Sequence, residues 1–207
     1  MPKNILVINS SPNGANSLSR KVTAETVAQL QAKYPGSTVK TRDLDKSPLP
    51  HLTGEVVAAF FTPPDSRSAA LAEAVRLSDK ITDELLAADI IVIGAPMWNF
   101  NVPSVLKAWI DHIVRAGRTF SFSPTGYEGL VKGKTAYLAL SRGGKYAEAP
   151  YKQMEFHETY LRSVLGFIGI TDVHAIIAEG ASMGPDGPKN AIASAEQQLA
   201  AAIQKAA

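Results

Sequence analysis

The chain has 207 residues, long for one average domain and short for two, so one compact domain over residues 1–207 is expected. Hydrophobic residues at 45%, charged residues at 19% and a net charge of +2 exclude a nucleic-acid footprint and a markedly acidic surface. The absence of cysteine excludes disulfides, thiolate metal sites and cysteine nucleophiles.

The apolar run at residues 5–8 is bounded by polar residues, as in a strand buried on both faces. It is too short for a signal sequence, and no stretch is long enough to cross a bilayer. A cytoplasmic protein without membrane contact is expected. Residues 9–19 carry turn chemistry throughout, and from Leu18 onward Val22, Ala24, Val27 and Leu30 recur at helical spacing until Pro35 and Gly36. Strand, polar loop and helix together open a mononucleotide-binding unit.

Residues 39–44 predict a second, alternating strand near a sheet edge. The segment 47–64 is proline-rich, with a short helix over 55–61. A long helix follows over 68–88, and residues 90–94 form a third strand. Pro103 marks the first position of the next helix, which carries Val105, Leu106, Trp109, Ile110, Ile113 and Val114 on one face.

Residues 119–133 suggest a hairpin around Pro124, Thr125 and Gly126. A fourth strand over 136–140 delivers Ser141, Arg142, Gly143 and Gly144, and a mixed helical stretch runs to Leu165. The fifth strand spans 173–178, and an alanine-rich helix over 191–206 closes the chain. Strands alternating with helices predict an α/β fold: a doubly wound, five-stranded parallel sheet of order 2-1-3-4-5 with helices on both faces.

Three loops then share the carboxyl edge of the sheet, where ligands sit in open parallel sheets. The first offers Ser11, Ser17 and Ser19, with Asn13 and Asn16, at a helix amino end whose dipole favours an anion. Ser17 as a plain helix cap is the competing reading. Neither a G-x-x-x-x-G-K-[ST] nor a G-x-G-x-x-G pattern is present, so a single terminal phosphate fits better than a triphosphate or dinucleotide. The second loop holds Pro96, Met97, Trp98, Asn99, Phe100 and Asn101. It combines large apolar surface with amides, as a flat, polar-edged ring would require, although Trp98 and Phe100 would also serve as core residues. In the third, Gly143 and Gly144 either let backbone N–H groups approach such a ring or form an ordinary turn. The histidines at 51, 112, 157 and 174 have no ligand spacing, so no metal is expected, and each is read as a surface or satisfied interior group.

Together these residues resemble a known family, the FMN-dependent NADH-azoreductases and NADH:quinone oxidoreductases of flavodoxin-like fold. The resemblance rests on S-S-x(5)-S-x-S at 10–19, P-M-W-N-F-N at 96–101, S-R-G-G at 141–144 and L-G-F-I-G-I at 165–170. It implies one non-covalent FMN per subunit, NADH or NADPH as hydride donor, quinones and azo compounds as acceptors, ping-pong two-electron transfer, and a homodimer with its sites at the interface. It further implies that Ser11, Ser17, Leu18 and Ser19 hold the FMN phosphate. Pro96, Met97, Trp98, Asn99 and Phe100 would line the ring, with Ser141, Arg142, Gly143 and Gly144 at its polar edge. Phe60, Phe100, Phe120, Phe122, Tyr146 and Tyr151 are candidate substrate-pocket walls.

The cofactor would carry the chemistry, so no catalytic side chain is expected. Asn99, Gly143 and Gly144 would position the ring. The alternative is a flavodoxin-like electron-transfer or non-enzymatic FMN-binding protein. Other readings lack their residues: a phosphoacceptor domain needs an acidic cluster after the first strand, and an α/β hydrolase needs G-x-S-x-G.

Overall fold

The computed structural model describes residues 1–124 and 126–205. Thr125 of the expected hairpin turn and Ala206 at the expected end of the last helix lie outside them.

A five-stranded parallel sheet forms the centre: β1 (Asn4–Asn9), β2 (Thr38–Asp43), β3 (Ile90–Pro96), β6 (Thr135–Ser141) and β7 (Asp172–Ala178), in the order β2-β1-β3-β6-β7. This is the expected order, with β6 and β7 as the fourth and fifth strands of the sheet. The intervening β4 (Phe120–Ser123) and β5 (Gly126–Gly129) form a separate antiparallel hairpin. Around the sheet lie α1 (Leu18–Lys33), α2 (Gly54–Phe61), α3 (Ala69–Ala87), α4 (Ser104–Ile113), α5 (His157–Ile168) and α6 (Gly187–Lys205).

Successive side chains of a strand point to opposite faces, so the apolar runs feed two cores. Ile5, Val7, Val92 and Tyr137 face Val22 and Leu30 of α1 and Leu199 of α6. Leu6, Ile8, Ile91, Ile93 and Leu138 face Leu106 and Trp109 of α4 and Leu161 and Leu165 of α5. Burial of each such side chain stabilises the fold by about 1.5–3 kcal/mol relative to exposure. Tight packing fixes Gly94 in β3: a Cβ there would lie 2.3 Å from Thr23 Oγ1 on α1 and 2.9 Å from Asn9 Oδ1. Helix and sheet approach through that gap.

Several element ends, and the burial of one strand, differ from the sequence expectation. Pro103 precedes α4, with extended backbone (φ −58°, ψ 147°), and its carbonyl accepts N–H groups from Leu106 and Lys107. α5 begins only at His157, because Glu155 supplies the capping acceptor: its carboxylate takes the N–H groups of His157 (3.0 Å), Glu158 (2.7 Å) and Thr159 (3.2 Å). α6 starts at Gly187, four residues early, since Pro188 fits a first helical turn. β2 is an edge strand as expected, but residues 38–41 are all exposed and do not alternate.

Candidate functional site

The pairing of the sheet sets the site. Asn9 of β1 lies opposite Gly94 of β3, and Pro96 of β3 lies opposite Ser141 of β6, so the three loops leave from one edge. Ser10 ties the first to the second strand: its N–H (3.0 Å) and its Oγ (2.8 Å) both donate to the Gly94 carbonyl. The Met97 N–H does the same for the next pair, donating to the Ser141 carbonyl at 2.8 Å.

In the first loop Ser11, Ser17 and Ser19 are all buried. Ser17 caps α1 by accepting the Arg20 N–H at 3.3 Å, and its Oγ lies 3.1 Å from Ser19 Oγ. Leu18 and Ser19 occupy the first helical positions, where main-chain N–H groups have no intrahelical acceptor. Hydroxyls and free N–H groups thus meet at the positive end of a 16-residue helix. Arg20, which the sequence reading passed over, braces the loop from behind. Its Nε and one terminal nitrogen donate to the Ser11 carbonyl (3.0 and 2.8 Å), and both terminal nitrogens reach Asp43 at 2.7 Å. The hydrogen bond to Arg20 lowers the Asp43 pKa, and the bond to Asp43 raises that of Arg20. An arginine three residues after a cap, with one aspartate ending the second strand, was the signal available.

The second loop is a two-residue turn. Trp98 and Asn101 exchange N–H to carbonyl bonds of 2.8 and 3.0 Å, and both residues between them have positive φ, Asn99 at 47° and Phe100 at 70°. Asparagine tolerates that region; phenylalanine there stores roughly 1–3 kcal/mol of strain. The strain holds apolar side chains outward: Trp98 is 47% and Phe100 39% exposed, so neither is a core residue. Phe100 meets Tyr146 edge-on at 6.3 Å, and Tyr146 lies 6.3 Å from Tyr151, giving three rings in a row. A cavity of about 640 Å³ lies against the turn, lined by Ser10, Pro12, Trp98, Asn99, Asn101 and Tyr160 among others. Its volume is that of a cofactor-sized site.

The third loop is held by the segment after β7. The carbonyls of Arg142, Gly143 and Gly144 accept N–H groups from Ala181 (3.1 Å), Ser182 (2.9 Å) and Gly180 (2.9 Å). A Cβ on Gly143 would stand 2.9 Å from Ser182 Oγ. The glycine pair therefore answers a close backbone approach, and neither residue has positive φ.

Several expected residues have other surroundings. Arg142 is neither at the surface nor free to reach a ring edge through its guanidinium. It is 3% exposed and bonds Glu155 at 2.8 Å, with Glu158 at 3.6 Å and Glu179 at 3.8 Å. Burial alone would raise the Glu155 pKa, but the N–H groups of Glu158 and Thr159 and the charge of Arg142 bring it below its ordinary value. Within the chain Phe60 lies away from the loops, its ring 3.9 Å beneath the Arg115 guanidinium. Phe120 and Phe122 pack edge-on at 5.2 Å on the hairpin, and Phe120 also meets Phe167 of α5 at 4.6 Å. Of the six wall residues, the chain brings together Phe100, Tyr146 and Tyr151.

The histidine expectation also needs correction. His157 is buried, yet neither ring nitrogen has a partner; desolvation, with a smaller push from Arg142, lowers its pKa to about 3. His112 is buried with Nε2 3.0 Å from the Pro50 carbonyl, while its Nδ1 is unpartnered. His174 lies 3.0 Å from Asp172 and stacks on Tyr137, and His51 is exposed.

Comparison with known proteins agrees with this geometry. A family model described as a flavodoxin-like fold matches residues 3–203. The FMN-dependent NADH:quinone oxidoreductase of Herminiimonas arsenicoxydans is 49% identical over 189 residues, 91% of this chain and 93% of that protein. The crystal structure of the azoreductase AzrA superposes with a TM-score of 0.90 at 32% identity, over 97% of this chain and 99% of the other. An FMN-dependent NADH-azoreductase from Bacillus anthracis str. Ames Ancestor, solved in complex with FMN, gives 0.86 at 25% identity over 99% and 100%. A match of that length and identity establishes descent: the chain belongs to the flavodoxin-like family that includes the FMN-dependent NADH:quinone oxidoreductases and azoreductases.

Proposed function

We propose that this protein is an FMN-dependent NAD(P)H oxidoreductase that reduces quinones and cleaves azo compounds by ping-pong two-electron transfer. The observation that carries the reading is the strained turn at Asn99 and Phe100, set on the same sheet edge as the serine loop and Gly143–Gly144. Strain at a site-facing turn is retained where its side-chain placement is used. Relatives bearing the quinone oxidoreductase and azoreductase names support the same reading.

The residues fit FMN. Its phosphate would find the free N–H groups of Leu18 and Ser19 and the hydroxyls of Ser11, Ser17 and Ser19, with Arg20 behind them and no carboxylate within the loop. Met97, Trp98, Asn99 and Phe100 would flank the ring, and the main chain at Gly143 and Gly144 would face its polar edge. When bound, FMN supplies the hydride chemistry that no side chain here provides. The chain's own task is orientation: the turn fixes the ring walls, and Arg142 with Glu155 fixes the position of α5 against the third loop. Phe100, Tyr146 and Tyr151 exclude water from the mouth. A homodimer would complete the pocket, with Phe120 and Phe122 on its far wall. The chain would act in the cytoplasm as one folding unit. Among the described residues no helix is long and apolar enough to cross a membrane.

Reconstitution tests the reading. The full chain mixed with FMN should retain a flavin spectrum after gel filtration. NADH oxidation should then depend on added quinone, with parallel initial-velocity lines as each substrate is varied. Retained flavin without turnover would leave the electron-carrier alternative ahead, and no retained flavin would defeat the reading.

A further inference from the structure

The strained turn and the third loop are joined through the start of α5. The Phe100 carbonyl, at the second positive-φ position of the turn, accepts the N–H of Phe156 at 3.2 Å, a donor it shares with the Met154 carbonyl. Phe156 directly precedes α5, and its neighbour Glu155 fixes where that helix begins. Besides the three main-chain N–H groups of the first turn, the Glu155 carboxylate accepts the Thr159 hydroxyl at 2.9 Å and the buried Arg142 guanidinium at 2.8 Å.

Arg142 carries the connection onward. Its main chain is fixed by an N–H donated to the Ala178 carbonyl at 2.9 Å, and its other terminal nitrogen lies 3.8 Å from Glu179. Glu179 accepts the Tyr146 N–H at 3.0 Å, and the Tyr146 ring meets the Phe100 ring edge-on at 6.3 Å. The contacts therefore close a circuit. Phe100 is held at its main chain through Phe156 and Glu155, and its ring partner is held through Glu179, with Arg142 between the two carboxylates.

We propose that Glu155 and Glu179 are positioning residues that fix the gap between the Phe100 and Tyr146 rings, against which the electron acceptor is seated. A sparsely populated backbone conformation such as that of Phe100 persists only where surrounding contacts over-determine it, and Phe156 supplies one from outside the turn. Hydrogen bonds between ionised partners are roughly twice as strong as neutral ones, which makes the Arg142 hub a firm anchor for both arms. Removing a carboxylate leaves the buried guanidinium short of a partner and frees its arm of the circuit. The seating of an acceptor rests on the redox reading above; the circuit itself does not.

Two measurements on the full chain test this. In hydrogen exchange without FMN, Glu155→Ala should speed the Trp98 and Asn101 amides at least tenfold, while amides of β1 and β3 keep the rates of the parent, because local opening follows the contacts that were lost. Should that variant fail to fold, Glu155→Gln, which keeps one acceptor oxygen for the helix, should show a severalfold change at the same amides. In the FMN-saturated chain, Glu179→Ala should raise KM for menadione at least threefold with kcat and flavin retention within twofold of the parent. Glu179→Gln, which restores an acceptor for the Tyr146 N–H, should bring KM back. Unchanged exchange at Trp98 and Asn101, an equal rise throughout β1 and β3, or a menadione KM that Glu179→Ala leaves alone or Glu179→Gln fails to restore would overturn the proposal. A parent chain that holds no flavin would defeat the redox reading instead, and the flavin-free exchange rates would still decide the circuit.

Discussion

Arg20 joins Asp43 by two hydrogen bonds of 2.7 Å while two of its nitrogens hold the carbonyl of Ser11, so the serine loop is clamped to the end of β2. Both side chains are less than one-fifth exposed, which limits screening by solvent.

Arg20→Ala should therefore loosen FMN more than it loosens the fold. Each lost charge-assisted bond is worth roughly 1.5–3 kcal/mol, so a rise in the FMN dissociation constant of about tenfold or more is expected. Flavin fluorescence titration measures it; an unchanged constant would remove the clamp from the phosphate account. Asp43 has a lowered pKa, so its contribution is complete above its unfolded value of about 3.9 and fades as pH falls through the folded value. Flavin retention should not vary between pH 6 and 8 on this account.

Ser17 can be tested as cap and as phosphate ligand separately. Ser17→Asp preserves a capping acceptor but places a negative charge where the phosphate would lie. Thermal stability should stay near that of the parent while FMN retention collapses. Ser17→Ala with Ser19→Ala should lower both, the cap alone by about 1 kcal/mol. If Ser17→Asp binds FMN normally, the loop is only a helix start.

Phe100→Gly should raise stability and lower function. Glycine adopts φ 70° freely, so relief of about 1 kcal/mol is expected in chemical denaturation, offset partly by unfolded-state entropy. Loss of the ring facing Tyr146 should reduce quinone turnover. Full turnover in the variant would mean that the strain serves something other than this wall.

Gly94→Ala should destabilise by roughly 1–3 kcal/mol, since Thr23 Oγ1 must move from a 2.3 Å contact. Thr23→Ala should recover part of that loss in a double-mutant cycle. Simple additivity of the two changes would show that the contact is not the cause.

His157, with its pKa lowered to about 3, binds its proton more readily in the unfolded chain, whose histidine titrates near 6.5. Between those values the unfolded state holds more protons, so stability should fall as pH drops below about 6.5. His157→Leu should flatten that part of the profile measured by urea denaturation, leaving the carboxylate-driven loss at lower pH. An unchanged slope would locate the acid sensitivity elsewhere.

The order of the sheet and the three loops were legible in the sequence because they follow from local patterns. Continuous apolar runs at residues 5–8, 90–94 and 136–140 specify buried strands, and turn residues directly after them specify loops at the carboxyl edge. Residues whose role depends on distant partners were not legible. Arg20, Glu155 and the segment 180–182 look like ordinary polar residues in one dimension, and acquire their roles only when Asp43, Arg142 and Gly143 arrive beside them. Phe60 was read by residue type alone, and its stacking beneath Arg115 comes only from packing. Hydrophobic periodicity is written into neighbouring residues, and so the sequence alone determined the layers and their edge. Ion pairs, caps and close backbone contacts join residues far apart in the chain, and only the folded arrangement could decide them.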